Sequence, residues 1–163
     1  MDWISAVGER VLAIDYGERR IGLAISDVTR TLARPLTTLV VGDRRDVLAR
    51  VASELERLAA EEDGVRAILV GVPAKLDGTP SDQTARVGAF IDALAARTRL
   101  PIVRVDERLT SREAESRLAI RERDWRKRKK RLDAAAAAVM LQEYLDGGSG
   151  RAGGSAGAGG PRA

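Results

Sequence analysis

Residues 11–26, VLAIDYGERRIGLAIS, restrict the possible folds more than any other stretch of the chain. Val11, Leu12, Ala13 and Ile14 make an unbroken apolar run too short for a helix, the pattern of a central strand covered on both faces. Asp15 ends the run, where such a strand leaves the core. Gly17 is expected to allow a tight turn with positive φ, and Arg20 to Ser26 reads as a second strand returning antiparallel. The hairpin therefore holds one carboxylate rigidly where the central strand emerges. A carboxylate there is costly to bury unless it is paired or holds a cation. Taken alone, the pattern reads more readily as a structural turn aspartate than as a ligand.

The rest of the chain wraps this hairpin. Thr31 to Leu39 reads as a third strand, placed at an edge by Pro35. Arg44 to Ala60 is an amphipathic helix with Val47, Val51, Leu55 and Leu58 on one face. Ala67 to Val72 is a wholly apolar strand, parallel to the first because a helix has carried the chain back. The loop from Pro73 to Ser81 ends on a residue suited to an N-cap, and a helix runs from there to about Arg97. Pro101 to Val105 is a further buried parallel strand. Thr110 and Glu113 have capping-box spacing, so a helix is expected from there to about Ile120. Arg121 to Arg131 carries eight basic residues among eleven, read either as a solvated connection or as a grip on phosphates. An alanine-rich helix from Leu132 to about Leu145 closes the fold. The order predicts a mixed sheet with helices on both faces, preceded by a short leader over 1–9 and followed by a disordered Gly/Ala-rich tail over 147–163.

Histidine and cysteine are both absent from the 163 residues, and this removes more chemistry than any residue present supplies. Disulfides, imidazole or thiolate zinc sites, cysteine nucleophiles and Ser/His/Asp triads are excluded. Enzymatic chemistry would fall to carboxylates holding a hard cation such as Mg²⁺ or Mn²⁺. Aromatic residues are 3%, too few for a surface that stacks bases along its length. A net charge of +4 permits a polyanionic partner. No targeting or membrane-spanning segment is visible, so a cytoplasmic protein without a membrane partner is expected.

Two further acids stand where a site would form. Glu107 directly follows a buried parallel strand, at the carboxyl end where ligands gather in open α/β sheets. Asp133 shares a helical face with Ala137 and Tyr144, although capping near a helix N-terminus explains it equally simply. Carboxylates converging without histidine suit a divalent-metal phosphodiesterase, in which two ions activate a water and stabilise the leaving oxygen. Arg108 suits either a phosphate or a salt bridge. Lys75, Gly78, Thr79 and Ser81 precede a helix N-terminus, a natural place for a phosphate oxygen, and equally an ordinary turn. Tyr16 reads as packing rather than as a stacking platform.

The segments IDYGERRIGLAIS, VGVPAKLDGTPSDQTARV, VDERLTSREAESRL and RLDAAAAAVMLQEYL, in this order, resemble the YqgF-type pre-16S rRNA nuclease family, also described as Holliday-junction-resolvase-like, of the RNase H-like superfamily. The resemblance covers roughly Val11 to Asp146. It implies an α/β fold, a three-layer α/β/α sandwich around a five-stranded mixed sheet. It also implies Mg²⁺- or Mn²⁺-dependent hydrolysis of phosphodiester bonds in 5′-end maturation of pre-16S rRNA. The family's strand-one aspartate falls on Asp15, its DER glutamate on Glu107, and the aspartate opening its last helix on Asp133. Many nucleases of the superfamily carry an acid at the end of strand four, where Gly71, Val72 and Pro73 stand here, and Glu107 takes that part. No second acid follows Asp133 by one turn, since Ala136 and Ala137 occupy those places.

Three readings follow. In the first, Asp15, Glu107 and Asp133 hold metal while Arg126, Lys127, Arg128, Lys129, Lys130 and Arg131 grip RNA. In the second, the same site resolves branched DNA, which demands a symmetric homodimer to pair two cuts, while the sequence itself leaves monomer or homodimer open. In the third, the chain is a non-catalytic RNA-binding factor of ribosome assembly or transcription. An actin-like or sugar-kinase ATPase is set aside because those enzymes close two related domains on nucleotide.

Overall fold

β1 (Arg10–Tyr16) and β2 (Arg20–Ser26) pair antiparallel, with Ile14 opposite Leu23 and Asp15 opposite Gly22. They belong to a computed structural model that describes residues 8–72, 82–106 and 125–147, with the backbone alone at 44 and 125–133. The turn between them differs from expectation in its cause. Among the described residues the glycine with positive φ is Gly64, at 53°. Gly17 is needed for close approach instead: a Cβ there would lie 2.5 Å from the Arg20 carbonyl oxygen, which accepts the Gly17 N–H at 2.9 Å.

The remaining elements are β3 (Ala33–Val40), α1 (Arg44–Ala60), β4 (Val65–Val72), α2 (Asp82–Ala95), β5 (Ile102–Asp106) and α3 (Trp125–Asp146). The sheet order is β3-β2-β1-β4-β5, with β1, β4 and β5 parallel and β2 antiparallel to both of its neighbours. This is the expected five-stranded mixed sheet, and Pro35 lies on an edge strand, next to a shift in the β2–β3 register between Leu23 and Ala24. α1 begins at Asp43, whose side chain accepts from the Arg45 N–H, and ends at Glu61. The left-handed Gly64 then turns the chain into β4.

Strand alternation splits the core into two layers. Leu12, Ile14, Tyr16, Ile21, Leu23, Ile68 and Val70 pack with Val51 and Leu55 of α1 and Phe90 and Leu94 of α2. On the opposite face Val11, Ala13, Ala24 and Leu69 pack with Ala137, Met140, Leu141 and Leu145 of α3. Small side chains on both partners bring α3 close to the sheet. Each fully buried leucine or isoleucine contributes about 1.5–3 kcal/mol, so the hairpin carrying Asp15 is anchored from both sides. Gln142 of α3 fixes the helix along the sheet, accepting from the Ala33 N–H and donating to the Thr31 carbonyl.

α3 begins at Trp125, about two turns before the expected start at Leu132, so the basic run from Trp125 to Arg131 is helix rather than connection. Arginine and lysine are good helix formers, and the charge run conceals the helix only from a reading based on apolar periodicity. Asp133 therefore stands in the third turn, beyond the reach of the macrodipole, and capping does not account for it. Among the described residues no helix is long and apolar enough to cross a membrane.

Arg10 locks the far end of β1. Its Nε donates to the Gly64 carbonyl at 2.9 Å, and its Nη2 reaches the Leu58 carbonyl at 3.2 Å and the Glu61 carboxylate at 2.9 Å. It thereby satisfies a last-turn carbonyl of α1 from within the core. Arg10→Ala is expected to lower stability by about 2 kcal/mol, below the cost of breaking a fully buried pair because Glu61 is 43% exposed. The urea midpoint measures it.

Asp27 organises the β2–β3 turn. Thr29 donates to its carboxylate, as do the N–H groups of Thr31 and Leu32. The Thr29 hydroxyl, against the opposing effect of burial and with help from these backbone donors, holds the carboxyl below the usual range. A lowered folded pKa stabilises above the unfolded value of about 4, and the contribution disappears as pH falls through the folded value. The stability difference between wild type and Asp27→Asn is therefore expected to be constant from pH 7 to about 5 and to shrink below about pH 4. Urea melts across this range check it.

Candidate active site at the carboxyl end of the central strand

Asp15 is the penultimate residue of β1, the middle strand of the sheet, and is half-buried. Ala13 and Val11 pack against α3, so alternation puts Asp15 on the same face. Its register neighbours are Gly22 on β2 and Gly71 on β4. The two positions whose side chains would crowd the carboxylate most carry none. The Gly71 of the apolar strand thus has a role beside Asp15 that its place in an apolar run did not suggest.

The other face of the same strand end is closed. Tyr16 is buried with its ring centroid 4.8 Å from that of Phe90, the packing role expected of it. α2 docks on the hairpin through Gln83, whose Nε2 donates to the Tyr16 carbonyl at 3.3 Å, and through Arg86, which pairs with Glu18 at 3.3 Å. The start of α2 is thereby tied to the residue after Asp15. Gln83 was not legible as a site residue, since a polar side chain in a first helical turn ordinarily faces solvent.

Glu107 and Arg108 follow the end of β5 in the sequence and lie outside the described residues, as do Lys75 and Thr79, which precede α2. The parallel register aligns Asp15 with Gly71 and Gly71 with Val105, so β5 ends on Asp106 level with the carboxyl end of β1. Asp133 and the basic residues Arg126, Lys127, Arg128, Lys129, Lys130 and Arg131 belong to α3 by their backbone, and their side chains lie outside the described residues. Among the described residues no three carboxylates converge.

The donor chemistry still fits one class of ion. A chain without histidine or cysteine offers a metal oxygen ligands and no imidazole or thiolate, a donor set that suits a hard divalent cation. A half-buried carboxylate with glycines in register on both sides supplies one such ligand.

The RuvX family, described as Holliday junction resolvase, matches residues 9–147. A protein of Chloroflexus aggregans, "Putative pre-16S rRNA nuclease", is 43% identical over 138 residues, 85% of this chain and 94% of that one. A protein of Roseiflexus sp. with the same description is 39% identical over 137 residues, 84% and 94% of the two chains. Among solved structures, T. thermophilus RuvC in complex with a Holliday junction substrate aligns with a TM-score of 0.50 at 20% identity, over 86% of this chain and 96% of that one. The Fowlpox virus resolvase in complex with Holliday junction DNA aligns with a TM-score of 0.53 at 12% identity, over 85% and 97%. These two share the fold.

Proposed function

The chain belongs to the RuvX family, and from that membership we propose that it is a cytoplasmic, metal-dependent endonuclease that hydrolyses phosphodiester bonds in 5′-end maturation of pre-16S rRNA. The observation that carries this reading is Asp15, a half-buried carboxylate at the carboxyl end of the central strand with Gly22 and Gly71 in register on either side. The description of relatives about 40% identical along nearly their whole length supports RNA as the substrate.

In this reading Asp15, Glu107 and Asp133 hold Mg²⁺ or Mn²⁺, which when bound activates a water and stabilises the leaving oxygen. Helix geometry supports the place of Asp133. It precedes Gln142 by two and a half turns, about 13 Å of helix. Gln142 is pinned beside Thr31 and Ala33, at the end of the sheet away from Asp15, and β1 needs about 13 Å to run from Val11 to Asp15. The chain's own part is to fix one carboxylate on a rigid strand and leave an approach over two glycines. Lys75 and Thr79, which precede α2 in the sequence, and Arg108 hold phosphate oxygens. Arg126, Lys127, Arg128, Lys129, Lys130 and Arg131 bring two turns of cationic helix to the nucleic-acid backbone, which makes binding steeply salt-dependent.

The family's own description favours a second substrate, branched DNA, which would need a homodimer to pair its two cuts. Incubating the full chain with a precursor 16S rRNA fragment and, separately, a four-way DNA junction, with Mn²⁺, Mg²⁺ or EDTA, decides between them. Metal-dependent cutting of the RNA and not of the junction is the expected result. Cutting of the junction alone would assign the site to recombination, and salt-sensitive RNA binding without cutting of either would assign an assembly factor.

A further inference from the structure

Among the described residues one buried side-chain nitrogen or oxygen makes no hydrogen bond, and it is Nη1 of Arg20. This is unusual, because a buried donor left unpaired loses its hydration without return. Other arginines of the structure are engaged: Arg10 with Glu61, Arg30 with Glu9, Arg57 with Glu54 and Glu61, and Arg86 with Glu18.

The location of Arg20 is as informative as its state. It opens β2, and alternation through Gly22 to Ala24, which packs against α3, puts it on the face that carries Asp15. Asp15 lies opposite Gly22, so Arg20 is its diagonal neighbour across the hairpin, with Cβ atoms about 7–8 Å apart or somewhat less. The Gly17 N–H to Arg20 carbonyl bond fixes the backbone of Arg20 in the turn that directly follows Asp15. A partly buried guanidinium with one buried, unpartnered nitrogen held at this place is prepared for an anion that arrives with the substrate.

We propose that Arg20 is a phosphate-binding residue of the nuclease site, donating through Nη1 to a non-bridging oxygen of the phosphodiester that is cut. The proposal rests on the nuclease reading above. Arginine suits the task because its planar fork matches two phosphate oxygens and its charge persists at any physiological pH.

The full chain and its Arg20→Met, Arg20→Lys and Asp15→Asn variants are to be compared on one labelled single-stranded RNA from the pre-16S 5′ region. Three quantities are read: the thermal midpoint, RNA affinity in EDTA from 50 to 200 mM salt, and single-turnover cleavage in Mn²⁺. Arg20→Met is expected to melt at or above the wild-type temperature, since it removes an unpaired buried donor. It should also lose about tenfold in affinity, flatten the salt slope by about 0.7, and slow cleavage ten- to a hundredfold. Arg20→Lys should recover affinity but less than a third of the rate, lacking the fork. Asp15→Asn should keep affinity and lose cleavage.

Wild-type affinity and rate in a folded Arg20→Met overturn the proposal. If Arg20→Met melts early, Arg20→Lys decides, and a rate within threefold of wild type overturns it. If the wild type cuts no RNA, the nuclease reading fails by itself. The EDTA affinities then still judge Arg20, unchanged binding in Arg20→Met counting against it and a flattened salt slope for it.

Discussion

Asp15→Asn is expected to reduce metal-dependent RNA cleavage about a thousandfold, a loss of roughly 4 kcal/mol of transition-state stabilisation. Asparagine has the same shape and fills the same position between Gly22 and Gly71, so the strand pairing and both core layers are retained. What disappears is the negative charge proposed to hold a divalent cation at the carboxyl end of β1. The thermal midpoint should therefore move by no more than about 3 °C, corresponding to about 1 kcal/mol for a domain of this size. Single-turnover rates at saturating enzyme, beside a melting curve, separate a chemical effect from loss of fold. A variant that stays folded and cleaves like wild type would remove Asp15 from the mechanism.

Gly17→Ala should have the second largest effect, about a hundredfold on cleavage, although residue 17 supplies no functional group. Its new Cβ would stand 2.5 Å from the Arg20 carbonyl oxygen, a backbone atom that cannot swing aside. The turn must open, and the Gly17 N–H to Arg20 carbonyl bond is lost with it. Asp15 precedes this turn and Arg20 ends it, so both shift relative to one another, and a displacement near 1 Å at a reacting centre costs about two orders of magnitude. Overpacking adds roughly 1–3 kcal/mol of destabilisation. Because the strain is local to the hairpin, the rate should fall at temperatures where the protein remains folded, measured by cleavage at 15 °C beside circular dichroism.

Much of the architecture was legible because its signals are local. The apolar run Val11 to Ile14 with Asp15 and Gly17 identified β1 and its hairpin, and α1 occupies Arg44–Ala60 as its apolar spacing indicated. β4 starts at Val65 rather than Ala67, because the charge on Arg66 interrupts the apolar pattern although the residue is only partly buried. α3 starts at Trp125 because basic side chains favour helix, which no apolar periodicity reveals. The role of Gly17 was read as a matter of φ, whereas it is a matter of contact between two backbone segments, and such contacts are not encoded in neighbouring residues. Arg20 went unnoticed for a similar reason. A charged residue at a strand end normally reaches water, and only the packed hairpin shows a guanidinium nitrogen that does not. Asp15 itself was identifiable as a candidate, but its two glycine neighbours come from β2 and β4 and require the sheet register to be seen together.

The central claim is that Asp15, Glu107 and Asp133 hold one metal-dependent site, and calorimetric titration of Mn²⁺ tests it most directly. Wild type would be titrated beside Asp15→Asn, Glu107→Gln and Asp133→Asn, each first shown to melt like wild type. Binding by the wild type and a loss of affinity of at least about tenfold in each variant is the predicted result. Mn²⁺ binding unaffected by Glu107→Gln and Asp133→Asn, or no binding by the wild type, would contradict it.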